Sequence, residues 1–406
     1  MYPRVNLRHL RLLDAIARNG TLHATAQQIG LTQPAVSQGI GRLESIYGAK
    51  LFDRGRNGAR LTEEGELVLA RVRRLMAFIT RMRRRVNGAR RGRPPVQLQH
   101  LITASQLEIL LAVETHRGFA AAARELGVAE PTVHHGARAV ERIVDHTLFR
   151  SVGSGIEITP IGRDLARLAG LALREIEGSF EDIDALRGRR GGRLAIGSLP
   201  LARTDLLPTA ITELHAVYPN AIIEIAEGSY EHLLERLRRG DIDAIIGALR
   251  EQTGGDIEER KLMEDSLSVI ARCGHPLAAR NTLDRAALLA YPWVVSRKGT
   301  PTRKHFNALF ENAMPESGLI ECSSLVILRA LLIKSDSLTL LSRQQIKYEE
   351  SLGMLTALPM ALPETTRSIG VTTRRNWKPT ALQSRFLDIL DDLVAGELQP
   401  VGGLPK

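Results

Sequence analysis

The sequence has few of the residues that build disulfide frameworks, metal sites or membrane spans. Its 406 residues include two cysteines, Cys273 and Cys322, which form no disulfide framework or metal-ligand spacing and are expected to pack as small apolar residues. No stretch approaches the roughly 18 apolar residues of a membrane span, and no apolar core of a signal peptide follows the first arginines. We therefore expect a soluble protein of the reducing cytoplasm, without cofactor or metal.

Acidic residues are missing from one basic segment. Between residues 71 and 93 there are ten arginines and no Asp or Glu, so this segment accounts for the whole formal net charge of +10. One interpretation is a solvated helix face followed by a linker. The other is a helix that attracts DNA phosphates as it leaves a DNA-binding head. The two interpretations are compatible, and both stay open.

A short pattern occurs twice in the N-terminal half, 97 residues apart. Each copy predicts a helix, a glycine-containing turn, and a second helix with a proline in its first turn, as in helix-turn-helix proteins. A short strand pair then forms a wing. The first copy comprises residues 26–37, Leu43-Glu44, Leu51-Phe52, Leu61-Thr62 and Gly65, and the second comprises residues 123–134, Val140-Glu141, Leu148-Phe149, Ile158-Thr159 and Gly162.

Each copy is followed by a long predicted helix and a linker rich in Gly and Arg. The first helix extends from about residue 63 to 86, and its apolar residues make it the expected seam between two copies of the chain. The second helix extends from about 162 to 186. Beyond residue 192, short β-rich runs alternate with helices, which predicts a mostly parallel α/β sheet.

These motifs resemble those of LysR-type transcriptional regulators. The first 65 residues carry the family's winged helix-turn-helix pattern, including Gln33-Pro34-Ala35-Val36-Ser37 and Leu51-Phe52-Asp-Arg54. Residues 192–396 resemble the family's effector-binding region through Tyr218-Pro219, residues 240–243 and residues 274–277. The segment from about 97 to 190 is a departure, since an ordinary member joins one head to one effector region.

The resemblance implies an α + α/β fold class. Tandem winged helix-turn-helix heads with linker helices precede a two-lobed α/β effector-binding region similar to type 2 periplasmic binding proteins. The expected domains are a DNA-binding head at 1–62, a dimerisation helix and basic linker at 63–96, a degenerate second head at 97–160, a second linker helix at 161–191, and an effector-binding domain at 192–396. Its first lobe would comprise 192–262 and 367–396, its second lobe 266–363, and its two crossovers would lie near 248–265 and 362–367.

The first head carries the expected DNA contacts. Gln and Ser side chains hydrogen-bond base edges, Ala35 can touch a thymine methyl, and wing arginines suit phosphate or minor-groove contact. Two glycines, Gly39 and Gly41, lie inside the recognition helix at a cost of about 0.8–1 kcal/mol each. The predicted DNA-binding residues are Thr32, Gln33, Pro34, Ala35, Ser37, Gln38, Arg42, Arg54 and Arg56, with Arg60 as a further flanking cation.

The second head retains its apolar core but not the same contact residues. Glu130 replaces Gln33, His134-His135 replace Ser37-Gln38, and Ser151 replaces Arg54. Its own cations are Arg138, Arg142 and Arg150. A structural or dimer-forming role and DNA contact of altered specificity both stay open. A metal site at the histidine pair is disfavoured because adjacent helical residues face different directions.

By resemblance, the effector pocket lies between the two lobes. Several hydroxyls at helix N-termini, together with Arg297 and Lys298, would suit a small organic anion. Each Ser or Thr also has the simpler interpretation of an N-cap. The candidate ligand-binding residues are Ser198, Leu199, Pro200, Gly228, Ser229, Gly247, Ser296, Arg297, Thr300, Thr302, Ser323 and Ser324.

The predicted function is a ligand-responsive transcriptional regulator that binds double-stranded promoter DNA as a homo-oligomer, a dimer or a tetramer. An enzyme is disfavoured because the sequence contains no Ser-His-Asp order, P-loop or dinucleotide fingerprint. The alternative is an architectural DNA-binding protein without ligand response.

Overall fold

A computed structural model provides the structure of the chain. It describes residues 3–55, 58–89, 94–153, 155–250, 254–311, 315 and 318–396. Arg56 and Asn57, part of the predicted wing, lie outside the described residues.

The first head forms because each helix has its own start and stop signals. Asn6, Thr21 and Thr32 accept a backbone N–H at the three helix starts, and Gly20, Gly30 and Gly48 end the helices in the left-handed conformation. The elements are α1 (Leu7–Asn19), α2 (Leu22–Ile29), α3 (Gln33–Tyr47), β1 (Phe52–Gly55), β2 (Gly58–Leu61) and α4 (Glu63–Ala89).

The second head repeats this order with a constant displacement. After a short helix, α5 (Leu98–Leu101), every element of the first head recurs with its length unchanged, and its bounds lie 97 residues further on. These elements are α6 (Ala104–His116), α7 (Phe119–Leu126), α8 (Glu130–Val144), β3 (Phe149–Val152), β4 (Gly155–Ile158) and α9 (Pro160–Leu186). The duplication predicted from the sequence is therefore a duplication of fold.

The residues common to both copies hold the heads together. The Glu44 carboxylate accepts the backbone N–H of Leu51 at 3.0 Å, and Glu141 accepts that of Leu148 at 2.7 Å. Gly65 packs against the backbone of Leu51, the residue before β1. A Cβ at this position would lie 2.1 Å from the Leu51 carbonyl oxygen. The residues repeated in both heads thus maintain the fold, and any difference in function lies in the surface residues that the two heads do not share.

The two long helices pack against each other within the chain. Two ion pairs show that they are antiparallel. Arg71 near the start of α4 pairs with Asp182 near the end of α9, and Arg85 near the end of α4 pairs with Asp164 near the start of α9. The apolar residues of both helices join the cores of both heads in one continuous cluster. The sequence predicts α4 as a seam between two copies, and in this structure α9 of the same chain covers its apolar face.

The C-terminal region contains two lobes of strands and helices. The first lobe contains β5 (Gly191–Ser198), α10 (Leu206–Val217), β6 (Asn220–Glu227), α11 (Tyr230–Arg239), β7 (Ala244–Ala248), β8 (Ile257–Asp265), β14 (Arg367–Arg374) and α16 (Ala381–Ala395). The second contains β9 (Leu267–Arg272), α12 (Arg285–Leu289), β10 (Trp293–Val295), α13 (Pro301–Leu309), β11 (Leu319–Glu321), α14 (Leu325–Lys334), β12 (Thr339–Ser342), α15 (Lys347–Ser351) and β13 (Leu355–Ala357).

Both lobes have mixed sheets, so the expectation of a mostly parallel sheet is wrong. The first sheet has the order β6-β5-β7-β14-β8, in which β5 is parallel to β6 and β7, and β14 is antiparallel to β7 and β8. In the second lobe, β12 and β13 flank β9 in antiparallel fashion, and a bridge between Trp293 and Leu338 connects the parallel pair β10-β11. The antiparallel strands β8 and β14 are those adjoining the crossovers, where the chain changes lobe.

The first crossover is shorter than predicted. Residues 257–265 form the edge strand β8, so only Ser266 separates the two lobes there. The second crossover lies beside it, since the hydroxyls of Ser266 and Thr366 are 2.9 Å apart. Asp265 accepts a hydrogen bond from Ser342 of the second lobe and pairs with Arg367 at 3.0 Å. This buried carboxylate connects both crossovers to the second lobe.

Candidate DNA-binding surface and inter-lobe cleft

The start of α3 presents most of the predicted DNA contacts on one exposed face. Buried Val36, Ile40 and Leu43 hold the opposite face in the core. The exposed residues are Thr32, Gln33, Pro34, Ala35, Gln38 and Arg42, and Ser37 is half-buried. Thr32 also caps the helix by accepting the N–H of Ala35 at 3.4 Å. A helix N-terminus with exposed Gln and Arg side chains suits entry into a major groove.

The two glycines of the recognition helix have different roles. A Cβ on Gly39 would lie 2.5 Å from Cδ1 of Leu12, so this glycine lets α1 and α3 approach closely. The equivalent Gly136 stands in the same relation to Ile109, at 2.3 Å. Gly41 faces outward, and a Cβ added there would have no atom within 4 Å. Only Gly39 is therefore explained by packing.

The wing of the first head carries cations beside the recognition helix. Arg54 lies in β1, and its side chain is outside what the structure describes, as is the whole of Arg56. Arg60 on β2 is exposed and lies opposite Asp53. The wing thus keeps at least one described cation available for the phosphate backbone.

The corresponding surface of the second head has the opposite charge balance. Residues 33–61 contain five Lys or Arg and two Asp or Glu, whereas the equivalent residues 130–158 contain three and four. Glu130 is exposed at the start of α8, and Glu157 takes the place of Arg60 on the wing. Arg138 pairs with Glu141 of its own helix. This surface attracts phosphates much less than that of the first head.

The second head has also lost local stabilising signals. Ala129 replaces the capping residue Thr32, and Gly118 replaces Thr21, so neither α8 nor α7 has a side-chain cap. Arg117 and Asp145 replace two C-cap glycines yet keep the left-handed conformation, with φ of 52° and 54°. For non-glycine residues that conformation costs roughly 1–2 kcal/mol. The head nevertheless folds, because its core is shared with α4 and α9.

Unlike the first head, the second contacts the C-terminal region through ion pairs. Buried Glu114 on α6 pairs with Arg239 of α11 at 2.9 Å, and Arg174 on α9 lies 3.5 Å from buried Asp243. The equivalent positions in the first repeat are Ala17 and Ala77, which cannot form ion pairs. The second head is therefore attached to the first lobe by ion pairs, whereas the first repeat reaches the same region through hydrogen bonds from Arg71 on α4 to backbone carbonyls.

The basic helix α4 uses several of its arginines in ion pairs and hydrogen bonds within the chain. Arg71 is buried and also donates to the carbonyl oxygens of Lys378 and Pro379, which adjoin α16. Arg74 pairs with Glu175 on α9 at 2.8 Å, and Arg73 pairs with Asp14 on α1 at 3.2 Å. Pairing within the chain explains buried Arg71 and half-buried Arg74, whereas Arg73, Arg81 and Arg84 are exposed and still fit a solvated or phosphate-attracting face.

The candidate effector residues lie in both lobes. On the first, Ser198, Leu199 and Pro200 follow β5, and a side chain at Gly247 would lie 2.5 Å from Cβ of Leu199. Gly228 and Ser229 precede α11, which Ser229 caps. On the second, Arg297 donates to the Ser323 hydroxyl at 3.0 Å.

Several of the second-lobe hydroxyls have structural roles. Thr300 and Ser324 cap α13 and α14, respectively. The Ser296 carbonyl accepts a hydrogen bond from Arg303, and Thr302 lies in the first turn of α13. For these caps the simpler interpretation is sufficient.

Other residues, not predicted from the sequence, bridge the lobes. Lys347 pairs with Asp205 at 2.8 Å, and Arg329 donates to the Thr204 hydroxyl at 3.1 Å. Ser198, which is one of the predicted candidates on the first lobe, has a fully buried hydroxyl with no hydrogen-bond partner among the described residues. A buried polar group without a partner is rare in folded proteins, so this hydroxyl is a candidate ligand contact. Its place at the end of a buried strand was the available sequence signal.

The remaining sequence candidates have no assembled site. His134 packs edge-on against Phe119, with ring centroids 5.0 Å apart, and the described residues contain no group of three metal-ligating side chains. Cys322 packs partly against the second lobe's core, but Cys273 is exposed, so only Cys322 behaves as predicted. Within the described ranges, no helix is both long and apolar enough to cross a membrane.

Comparison with protein-family models accounts for all three structural units. The model described as "Bacterial regulatory helix-turn-helix protein, lysR family" matches twice, at residues 7–66 and 104–163. The model described as "LysR substrate binding domain" matches residues 187–395. Both heads and the two-lobed region are thus covered.

Curated relatives extend over most of the chain. The transcriptional regulator GalR of Pseudomonas putida is 31% identical over 376 residues, which cover 91% of this chain and 92% of GalR. PcaQ of Agrobacterium fabrum is 26% identical over 299 residues, covering 72% of this chain and 94% of PcaQ.

Solved structures confirm the fold of the parts of the chain that they cover. A full-length OxyR variant from Pseudomonas aeruginosa has a TM-score of 0.56 at 23% identity, covering 72% of this chain and 94% of OxyR. The LysG structure from Corynebacterium glutamicum with bound effector Arg has a TM-score of 0.52 at 20% identity, covering 74% of this chain and 100% of LysG. CbnR complexed with its target DNA has a TM-score of 0.50 at 18% identity, covering 71% of this chain and 99% of CbnR.

Proposed function

Because the chain belongs to the LysR family of transcriptional regulators, which bind promoter DNA and small effectors, we propose a specific division of labour within it. The first head recognises DNA sequence, and the two-lobed region senses a small organic anion. The second head transmits the conformational change from the two-lobed region to the first head. The domain ranges predicted from the sequence describe this division, with the first lobe extended from residue 262 to residue 265, the end of β8.

The observation that carries the assignment to the first head is the contrast between equivalent surfaces. The exposed face of α3 and its wing combine base-reading Gln side chains with a surplus of cations, whereas α8 and its wing carry a surplus of acids. Cations that neutralise phosphates dominate protein–DNA affinity. The first head therefore binds DNA more tightly and reads its bases.

The experiment is DNase footprinting with the full chain on DNA upstream of its own gene. Ser37→Ala/Gln38→Ala should erase the protected region at concentrations where the wild type protects it. His134→Ala/His135→Ala is the matched control in the second head and should leave protection in place. If the second pair alone removes protection, the heads have been assigned the wrong way round.

The effector proposal rests on polar residues of the two lobes. Ser198 offers a buried hydroxyl on the first lobe, and Arg297 supplies positive charge from the second. A carboxylate or a phosphate could accept from both kinds of donor. Effector binding would shift the lobes and, through Glu114–Arg239 and Arg174–Asp243, the heads.

Isothermal calorimetry against a panel of small carboxylates and phosphate esters tests sensing. A binding member of the panel should lose at least tenfold in affinity with Arg297→Gln, while Lys304→Gln, which removes an exposed charge on α13, should bind normally. Absence of binding across the panel would favour the architectural alternative, a DNA-binding protein without ligand response.

Homo-oligomer formation is part of the proposal and rests on apolar surface. The exposed side chains Ile222 and Ile225 lie on edge strand β6 of the first lobe, and Val326 and Ile327 lie on α14 of the second. Isoleucine and valine side chains grouped on both lobes suit contact with a second copy. Light scattering of the wild type and of Ile222→Asp/Val326→Asp should show an oligomer in the first and a monomer in the second.

A further inference from the structure

The α4–α9 seam makes one chain equivalent to a two-headed DNA-binding unit. Each helix has 27 residues, so each is about 40 Å long. The heads precede the two helix starts, and because the helices are antiparallel, the heads lie toward opposite ends of the pair. Met76 and Leu173, which are equivalent positions in the repeat, both pack against the shared core near the middle of the seam. The two repeats are therefore related by an approximate two-fold axis.

The charges of the seam favour α4–α9 over two identical helices. Residues 71–89 contain seven arginines and no acid, whereas the equivalent residues 168–186 contain five acids and one arginine. Arg71 and Arg85 accordingly meet Asp182 and Asp164. If α4 paired instead with α4 of a second copy, the place of Asp182 would be taken by Arg85, its equivalent in the first repeat. Arg71 of one copy would then face Arg85 of the other. Like charges at that place are destabilising.

The connection between the helices also favours closure within the chain. Only eight residues, 90–97, separate the end of α4 from α5 of the second head. Val96 donates its N–H to Asn87 of α4 at 2.9 Å, so the second head begins directly beside the end of α4. From there α9 runs back along α4 without a crossing between copies. Tyr47 of α3 then stacks on Phe180 near the end of α9, with centroids 4.3 Å apart, and fixes the first head to the other end.

From these observations we infer that a single chain is the complete two-headed unit and that its DNA site is asymmetric. Two-fold helix-turn-helix dimers place equivalent heads on half-sites about one helical turn apart, which makes their operators palindromic. Here the two heads differ, so the first reads the bases of one half-site. The second lies over the neighbouring turn and contacts its backbone through Arg142 and Arg150, neither of which is buried. This inference rests on the proposed function for the base-reading head.

The experiment first uses the full chain to select binding sites from random duplex DNA. Hydroxyl-radical footprinting is then carried out on short duplexes that contain one pair of half-sites. We expect a consensus in one half only, with backbone protection extending over both halves. Ser37→Ala/Gln38→Ala should weaken binding at least tenfold on the consensus. Arg142→Gln/Arg150→Gln should weaken binding several-fold on every sequence alike and leave the consensus unchanged, because phosphate contacts carry no base information.

Arg163→Gln/Arg189→Gln is the control for charge, since it removes two exposed arginines of the same repeat outside the α8 and wing surface. A palindromic consensus with both halves sensitive to the Ser37/Gln38 substitutions would overturn the inference, because two first heads from different chains would then be paired. Protection of one half alone would overturn it as well. If the asymmetric consensus instead follows His134→Ala/His135→Ala, the two-headed unit stands and only the assignment of the reading head fails.

Discussion

Arg71 on α4 and Asp182 on α9 form a two-point ion pair across the helix seam, with Nε–Oδ2 and Nη2–Oδ1 distances of 2.8 and 3.1 Å. Both side chains are largely buried, and burial tends to lower the pKa of Arg71, but the hydrogen bonds and charges of Asp182 and Glu175 raise it above its ordinary value. The pair connects the two repeats to each other and, through the Lys378 carbonyl, to the effector region. Together with the stacking of Tyr47 on Phe180, it holds the first repeat to α9.

Removing this carboxylate should destabilise the whole N-terminal unit. Asp182→Ala leaves a buried guanidinium with fewer acceptors, and breaking a buried pair from one side costs about 3–5 kcal/mol. Glu175 still faces Arg71, so we expect the lower part of that range. Urea unfolding of the full chain measures the change. Asp184→Ala, whose partner Arg189 is exposed, is the matched control and should cost less than about 1 kcal/mol.

The two recognition-helix glycines should respond to alanine with opposite signs. Gly41→Ala adds helix propensity in open space and should stabilise the chain by about 0.8–1 kcal/mol. Gly39→Ala gains the same propensity, but its methyl would collide with Leu12, and overpacking costs typically about 1–3 kcal/mol. The midpoint of thermal unfolding should therefore rise for Gly41→Ala and fall for Gly39→Ala. Equal shifts would show that α1 retreats from α3 without cost.

The missing cap of α8 should be restorable. Ala129→Thr places an N-cap hydroxyl where the first head has Thr32, and such a cap is worth about 0.5–2 kcal/mol. Thr32→Ala is the mirror experiment and should destabilise by a similar amount. Denaturant unfolding of both variants tests the pair. A neutral effect of Ala129→Thr would mean that the turn before α8 cannot bring the hydroxyl to the N–H of the first turn.

The heads were predictable from the sequence because their signals are local. Capping residues, left-handed glycines and apolar spacing all lie within a few residues of the elements they define, and the repeat displays them twice. The bounds of α11, Tyr230–Arg239, were likewise predicted, since Ser229 and Gly240 flank it as caps. The exposed face of α3 followed from the same helical spacing.

Long-range pairings were harder to predict. Taken alone, the arginines of residues 71–93 suggest a solvated or DNA-facing helix. The second repeat, however, carries acids at positions that face them in an antiparallel helix pair, namely Asp164, Glu175 and Asp182. Comparing the two repeats residue by residue would have indicated that α4 and α9 are partners. The lobe-bridging contact of Asp205 with Lys347 joins residues 142 positions apart, and no local pattern signals it. Strand β8 was missed because its run of four consecutive charged residues, 258–261, resembles a loop.

Glu181, near the end of α9, should make the stability of the chain depend on pH. Burial raises the pKa of this carboxyl to about 7 from its ordinary value of 4.5, although Arg174 and the backbone N–H of Arg193 oppose the change. Below pH 4.5 the carboxyl is protonated in the folded and unfolded chains alike. Between pH 4.5 and about 7 the unfolded chain releases the proton first, so the folded state loses stability as pH rises.

Glu181→Gln removes this titration while keeping the size of the side chain. We expect the variant to be more stable than the wild type by roughly 1–3 kcal/mol at about pH 8 and to differ little at about pH 4.5, since a shift of one pKa unit corresponds to about 1.4 kcal/mol. Glu177→Gln, on the half-exposed side of the same helix, keeps Glu181 and is the control, so it should still lose stability as the pH rises. Urea unfolding at the two pH values measures the difference. A gain of equal size at both values would show that Glu181 destabilises the junction through the shape of its side chain and not through its charge.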